Sequence, residues 1–93
     1  MSNVIRMPKR FDYSASAEFN NALADRFASQ GEGAHVLLDC QHMDYIDSAG
    51  IGLLVMAHKK ALASDSTIAV INAKSSTKEI LLLANLQKLI EIK

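Results

Sequence analysis

The chain has 93 residues, enough for one domain with a modest but sufficient core. Lysine plus arginine number 10 and aspartate plus glutamate number 10, so the formal charge is zero, which argues against a nucleic-acid binder held by bulk charge. The single cysteine, Cys40, excludes an internal disulfide, and no apolar run approaches the ~20 residues of a membrane span.

Met1-Ser2-Asn3-Val4-Ile5-Arg6 lacks the apolar stretch of a signal peptide. Cys40 lies in an apolar run and reads as a small, buried, reduced residue. A cytoplasmic protein is expected, with peripheral attachment through a partner still compatible. Val4 to Met7 is a short, partly alternating run closed by Pro8, which reads as an edge strand because proline lacks the ladder N–H. Lys9 to Ser14 reads as a loop, with Asp12 and Ser14 both suited to turns and caps. From about Ala15 to Ser29, Phe19, Leu23 and Phe27 recur every four residues with Ala22 beside them, predicting a helix with one apolar stripe. Gly31-Glu32-Gly33 is expected to stop it.

His35 to Cys40 is a near-continuous apolar run and predicts a central strand covered on both faces. Gln41 to Asp47 reads as a lead into a helix from Ser48 to about Ala63. Thr67 to Asn72 predicts a second central strand. Ser76-Thr77-Lys78-Glu79 has the spacing of a capping box and is expected to open a third helix, carrying Ile80, Leu83 and Ala84. Asn85 suits a left-handed helix end, and Leu89 to Ile92 alternates like a final short strand with one wet face. The predicted order is β-α-β-α-β-α-β, which implies crossover connections and a largely parallel sheet.

The stretch Met43 to Leu53 is the most informative. Asp47 is a good N-cap, because its carboxylate can accept from free backbone N–H groups of the first turn. Ser48 then falls at the first helical position, with its hydroxyl expected near the surface. Gly50 and Gly52 each cost helix propensity, roughly 1 kcal/mol relative to alanine, so close approach of another backbone or a partner is expected there. On a helical projection, Ile51, Leu54, Val55, His58, Ala61 and Leu62 share the side expected to pack on the sheet. Ala49, Gly52, Leu53, Met56 and Lys60 share the other. Leu53 and Met56 are therefore either covered by a neighbouring helix or form a docking ridge beside Ser48, with methionine as an adaptable contact.

Enzymatic readings find little support. Ser48 has no glycine two residues before it, so the stretch is not a nucleophile elbow. Among His35, His42 and His58, no pair has helical ligand spacing, and one cysteine cannot build a thiolate zinc site. His58 reads as a structural histidine at the core or its edge. Gly50-Ile51-Gly52 at a helix start has neither the P-loop lysine nor the G-x-G-x-x-G pattern. No catalytic residue, cofactor or metal site is expected.

Asp47-Ser48-Ala49-Gly50-Ile51-Gly52, following the apolar strand Val36 to Cys40, resembles the anti-sigma-factor antagonist family, the STAS domain. Phe11-Asp12, the three helices and the Leu86 to Ile92 segment agree with that frame. The resemblance implies one α/β STAS domain over residues 1–93, with a mostly parallel or mixed sheet of four to five strands and helices packed against it. It implies a partner-switching role in signal transduction and transcription regulation. The serine after the motif aspartate, here Ser48, would be phosphorylated by a serine kinase that doubles as an anti-sigma factor, and a cognate serine phosphatase would reset it. The family's loop aspartate maps onto Asp12. Recognition of the helix end and its next turn would use Ser48, Ala49, Gly52, Leu53 and Met56 together, and with Asp12, Asp47 and Gly50 these are the expected partner-binding residues. Where the family often has serine or threonine, Ala49 leaves Ser48 as the one local acceptor. The family's glycine before the loop aspartate is replaced by Lys9 or Arg10. Relative to the family frame, an extra initial strand and a final C-terminal helix are expected to be missing. A non-phosphorylated scaffold subunit of a sensory or lipid-transport complex is the alternative, and weak homodimerisation is left open.

Overall fold

The computed structural model describes residues 3–30 and 33–93. The expectation that Gly31 and Glu32 end the first helix lies outside the described residues. Strand β1 spans Val4–Arg6 and β2 spans Arg10–Phe11. A 3-10 turn at Tyr13–Ala15 leads into α1, Ser16–Gln30. Next come β3, His35–Asp39, β4, Tyr45–Ile46, and α2, Ser48–Ala63. The chain closes with β5, Thr67–Ile71, α3, Ser75–Leu83, a 3-10 turn at Leu86–Lys88, and β6, Glu91–Ile92.

The main sheet has the order β1-β3-β5-β6, and each of its three pairings is parallel. β1 is at an edge, as Pro8 required, and β3 and β5 are central. Ile68, Ala69 and Val70 of β5 are all buried, so that strand is covered on both faces. In β3, Val36 and Leu38 are fully buried while Leu37 and Asp39 are half-buried and His35 is exposed, so its cover is less complete than expected. α1 packs against α2, and α2 packs on β5. Phe19 meets Phe11 edge to face, with centroids 5.1 Å apart. Cys40 is buried, as expected, and burial pushes its thiol pKa up to about 12.

Three expectations need correction. Lys9 to Ser14 is not simply a loop: β2 pairs with β4 in parallel, forming a separate two-stranded sheet that also interrupts the Gln41 to Asp47 lead. α3 begins at Ser75, with Lys74 at the cap position and no side-chain cap, so Ser76 and Glu79 form no capping box. Thr77, buried, donates instead to the Met43 carbonyl at 3.3 Å, and this tertiary anchor fixes the helix start. Finally, the buried stripe of α2 is Gly50, Leu54, Ala57 and Ala61, while Leu62 is 58% exposed. Ile51, Val55 and His58 are half-buried. Small residues allow close helix packing, so the stripe is centred on Ala57 and Ala61 rather than on the bulkier His58 and Leu62.

Left-handed backbone at Asn85, φ 60°, ends the last helix as its side chain suggested. Asp65 and Asn72, also at positive φ, come after α2 and β5 in the same way.

Candidate functional site

The two-stranded sheet assembles the site. Arg10 pairs with Tyr45 and Phe11 with Ile46, so the chain leaves both strands side by side, at Asp12 and at Asp47. Each aspartate then caps the helical element next in the chain. Asp12 caps the 3-10 turn and accepts from the Ser14 backbone N–H at 3.0 Å. Asp47 caps α2 and accepts from the Gly50 backbone N–H at 2.9 Å.

Ser48 is the first residue of α2 and is exposed. Ala49 beside it is half-buried. Gly50 is buried for a definite reason. A Cβ there would stand 2.4 Å from the Phe11 carbonyl oxygen and 2.9 Å from Ile46 Cγ1. The expected close backbone approach is therefore Phe11 of β2. Gly52 is different: it is exposed, and a Cβ would meet nothing within 4 Å. Among the described residues, no group requires a glycine there.

Leu53 is half-buried and packs against the core, while Met56 is 51% exposed. The ridge expected from the helical projection is thus divided between the two readings. Met56, Gly52 and Ser48 lie open, and Leu53 is largely committed to the fold. Asp44, exposed, pairs with Lys9 at 3.7 Å.

Arg10, Ser14 and Tyr45 complete the constellation, though none stands out as a site residue from sequence. The Arg10 guanidinium donates from Nε to Asp12 Oδ2 at 2.7 Å and lies 4.1 Å from the Tyr45 ring centroid. Ser14 Oγ donates to Asp12 Oδ1 at 2.5 Å. The Ser14 hydroxyl and then Arg10 hold the Asp12 carboxyl below its usual range. Asp12 in turn raises the Arg10 pKa, with smaller contributions from Tyr45 and Asp47. The available signal is spacing: residues i and i+2 of a strand share a face, which places Arg10 with Asp12.

The histidines do not join Ser48. His35 opens β3 and its Nδ1 lies 2.5 Å from Thr67 Oγ1 at the start of β5. His58, Leu62 and Leu89 line a cleft beside them, at the opposite end of the strands from the Asp47 cap. His42 is exposed in the loop after β3. Among the described residues, no three His, Cys, Asp or Glu side chains are grouped to hold a metal ion, and no helix is long and apolar enough to cross a membrane.

A helix tip with an open hydroxyl and a second capping aspartate thus flank one small parallel sheet in a small α/β domain. The STAS domain family model matches residues 2–93, and the chain belongs to that family. A STAS-domain containing protein of Pseudomonas aeruginosa (strain UCBPP-PA14) is 26% identical over 88 residues, covering 95% of this chain and 84% of that one. The fold is shared with the NMR structure of the protein TM1081, with a TM-score of 0.79 at 21% identity over 97% of this chain and 71% of that one. A crystal structure of a proposed anti-sigma factor antagonist from Thermotoga maritima gives a TM-score of 0.76 at 22% identity, covering 99% of this chain and 80% of that one.

Proposed function

We propose that this protein is a phosphorylation-controlled partner switch, an anti-sigma-factor antagonist that binds an anti-sigma factor with serine-kinase activity while Ser48 is unmodified and releases it afterwards. The observation that carries the reading is the position of Ser48: an exposed hydroxyl at the first residue of α2, beside the Asp47 cap. In the modifying step, a nucleoside triphosphate transfers its terminal phosphoryl group to Ser48 Oγ, which loses its proton, and the diphosphate leaves. A serine phosphatase hydrolyses the ester to reset the cycle. The docking surface comprises Asp12, Asp47, Ser48, Ala49, Gly52 and Met56, with Gly50 and Leu53 supporting it from below.

Two effects on the domain oppose each other. The helix N-terminus favours the phosphate by about 0.3–1 kcal/mol at an exposed position. Asp47, next in the chain, repels it across solvent. The domain itself should hardly respond. A partner packed over Ser48 responds strongly, because burying an unpaired charge costs several kcal/mol. The switch is therefore in binding, with the fold unchanged.

Mass spectrometry of protein isolated from its own cells tests the modification, and a singly phosphorylated peptide spanning Ser48 is the expected result. Absence of that peptide across growth conditions would overturn the switch in favour of an unmodified scaffold subunit. Co-purification identifies the captured partner. Ser48→Asp should weaken that capture while leaving the melting temperature within a few degrees of the parent. A large loss of stability would make the serine structural.

A further inference from the structure

The constellation around Ser48 contains a guanidinium that the switch reading leaves unused. Arg10 sits on β2 opposite Tyr45 of β4, three residues before Ser48. Its side chain is well exposed, stacked on the Tyr45 ring, and aimed at the Asp12 carboxylate. Asp47, the residue before Ser48, is near enough to raise the Arg10 pKa. The other nearby cation, Lys9, is paired with Asp44 at 3.7 Å.

We propose that Arg10 is the receptor for a phosphate on Ser48, exchanging its bond to the Asp12 carboxylate for bonds to the phosphate oxygens. This inference rests on the switching role of Ser48 and names the residue through which the modified surface is remodelled. A dianionic phosphate is a stronger partner for a guanidinium than a monoanionic carboxylate, and it offers the fork geometry that arginine matches with two parallel hydrogen bonds. The bond that must break is a surface one, and exposed ion pairs resist exchange weakly. Asp12 keeps its bonds from Ser14 Oγ and the Ser14 backbone N–H, so its loop stays capped after the guanidinium leaves.

The exchange changes three side chains at once. Arg10 becomes neutralised by the phosphate, the Asp12 carboxylate loses its cation, and the Tyr45 ring loses the guanidinium that covers it. A partner that reads Asp12 and Ser48 together would meet a new charge pattern on an unaltered backbone. The charged side chains on β2, β4 and the residues flanking them are Lys9, Arg10, Asp12, Asp44 and Asp47, and of the two cations only Arg10 brings a guanidinium fork.

The test uses full-length protein with phosphoserine installed at position 48 during translation, so that no kinase is needed. Phosphorus NMR follows the second ionisation of the phosphate, ordinarily near pH 6. An adjacent cation favours the dianion, so this pKa should lie lower in the parent than in Arg10→Gln. The expected difference is on the order of half a pH unit, reduced from a buried pair's shift by solvent screening. Lys9→Gln should move it less than half as far. In the parent alone, the Arg10 Nε–H resonance should shift when phosphoserine replaces Ser48. Coincident titration curves for the parent and Arg10→Gln, or an Arg10 Nε–H signal indifferent to the phosphate, would overturn the exchange. Those results would leave the switching role intact, whereas a Ser48 never modified in cells would remove the switching role and leave this measurement standing.

Discussion

The two glycines of the α2 tip should respond to alanine in opposite directions. At Gly50, the new methyl would stand 2.4 Å from a backbone oxygen of β2 and 3.1 Å from Phe11 Cδ2. Neither obstacle can rotate away, because Phe11 is fully buried and its strand is paired to β4. Overpacking of this kind costs about 1–3 kcal/mol, and a rigid carbonyl places Gly50→Ala at the upper end. Against this stands a helix-propensity gain of at most ~1 kcal/mol. The net loss is about 2 kcal/mol, a fall in melting temperature of roughly 8–16 °C for a domain of this size. Gly52→Ala meets nothing within 4 Å and keeps the propensity gain, so its melting temperature should rise by up to ~8 °C. Urea denaturation followed by circular dichroism, with slopes compared between variants, measures both changes. A Gly50→Ala protein as stable as the parent would refute the close approach of β2 to α2.

The same geometry sets other outcomes. Asp47→Ala removes the side-chain acceptor for the Gly50 N–H and should cost about 1 kcal/mol in urea unfolding, whereas Asp47→Asn should retain most of it. Carboxyl NMR should show Ser14→Ala and Arg10→Gln each raising the Asp12 pKa, since the Ser14 hydroxyl and the Arg10 guanidinium both hold it down. A depressed folded pKa favours folding above the ordinary carboxylate range and ceases to do so as pH falls through it, so the Asp12 contribution should disappear below about pH 4. Cys40 carries the opposite sign. Its thiol stays protonated in the folded protein up to about 12, whereas the unfolded chain ionises near pH 8.5, so stability should decline as pH rises between those values. Thiol labelling at pH 8 should accordingly proceed at the rate of domain opening, and fast labelling of folded protein would contradict that burial.

The long periodic elements are legible in the sequence because their pattern is physical. Phe19 and Leu23 of α1 are buried, and α2 runs from Ser48 to Ala63 as Asp47 and the apolar spacing required. β2 and β4 are not legible, since two residues carry no period, and a parallel pair so far apart in sequence leaves no turn signature. Leu62 misleads because side-chain size is a poor guide to burial where Gly50, Ala57 and Ala61 are chosen for closeness. Ser76 and Glu79 match a local motif, but the buried Thr77 bond to Met43 decides the helix start. Within the site, Asp12, Asp47 and Ser48 can be read as cap and motif positions. Spacing along the strand places Arg10 with Asp12, but Tyr45 becomes visible only once the strand register brings it to Arg10.

Every strand pairing described for this domain is parallel, so none can zip up from a hairpin. Contacts so distant along the chain tend to form late in folding. Asp12 and the Asp47-Ser48 tip consequently come together only when β2 meets β4. A regulator that recognises both residues at once would ignore nascent or damaged copies and count only finished molecules.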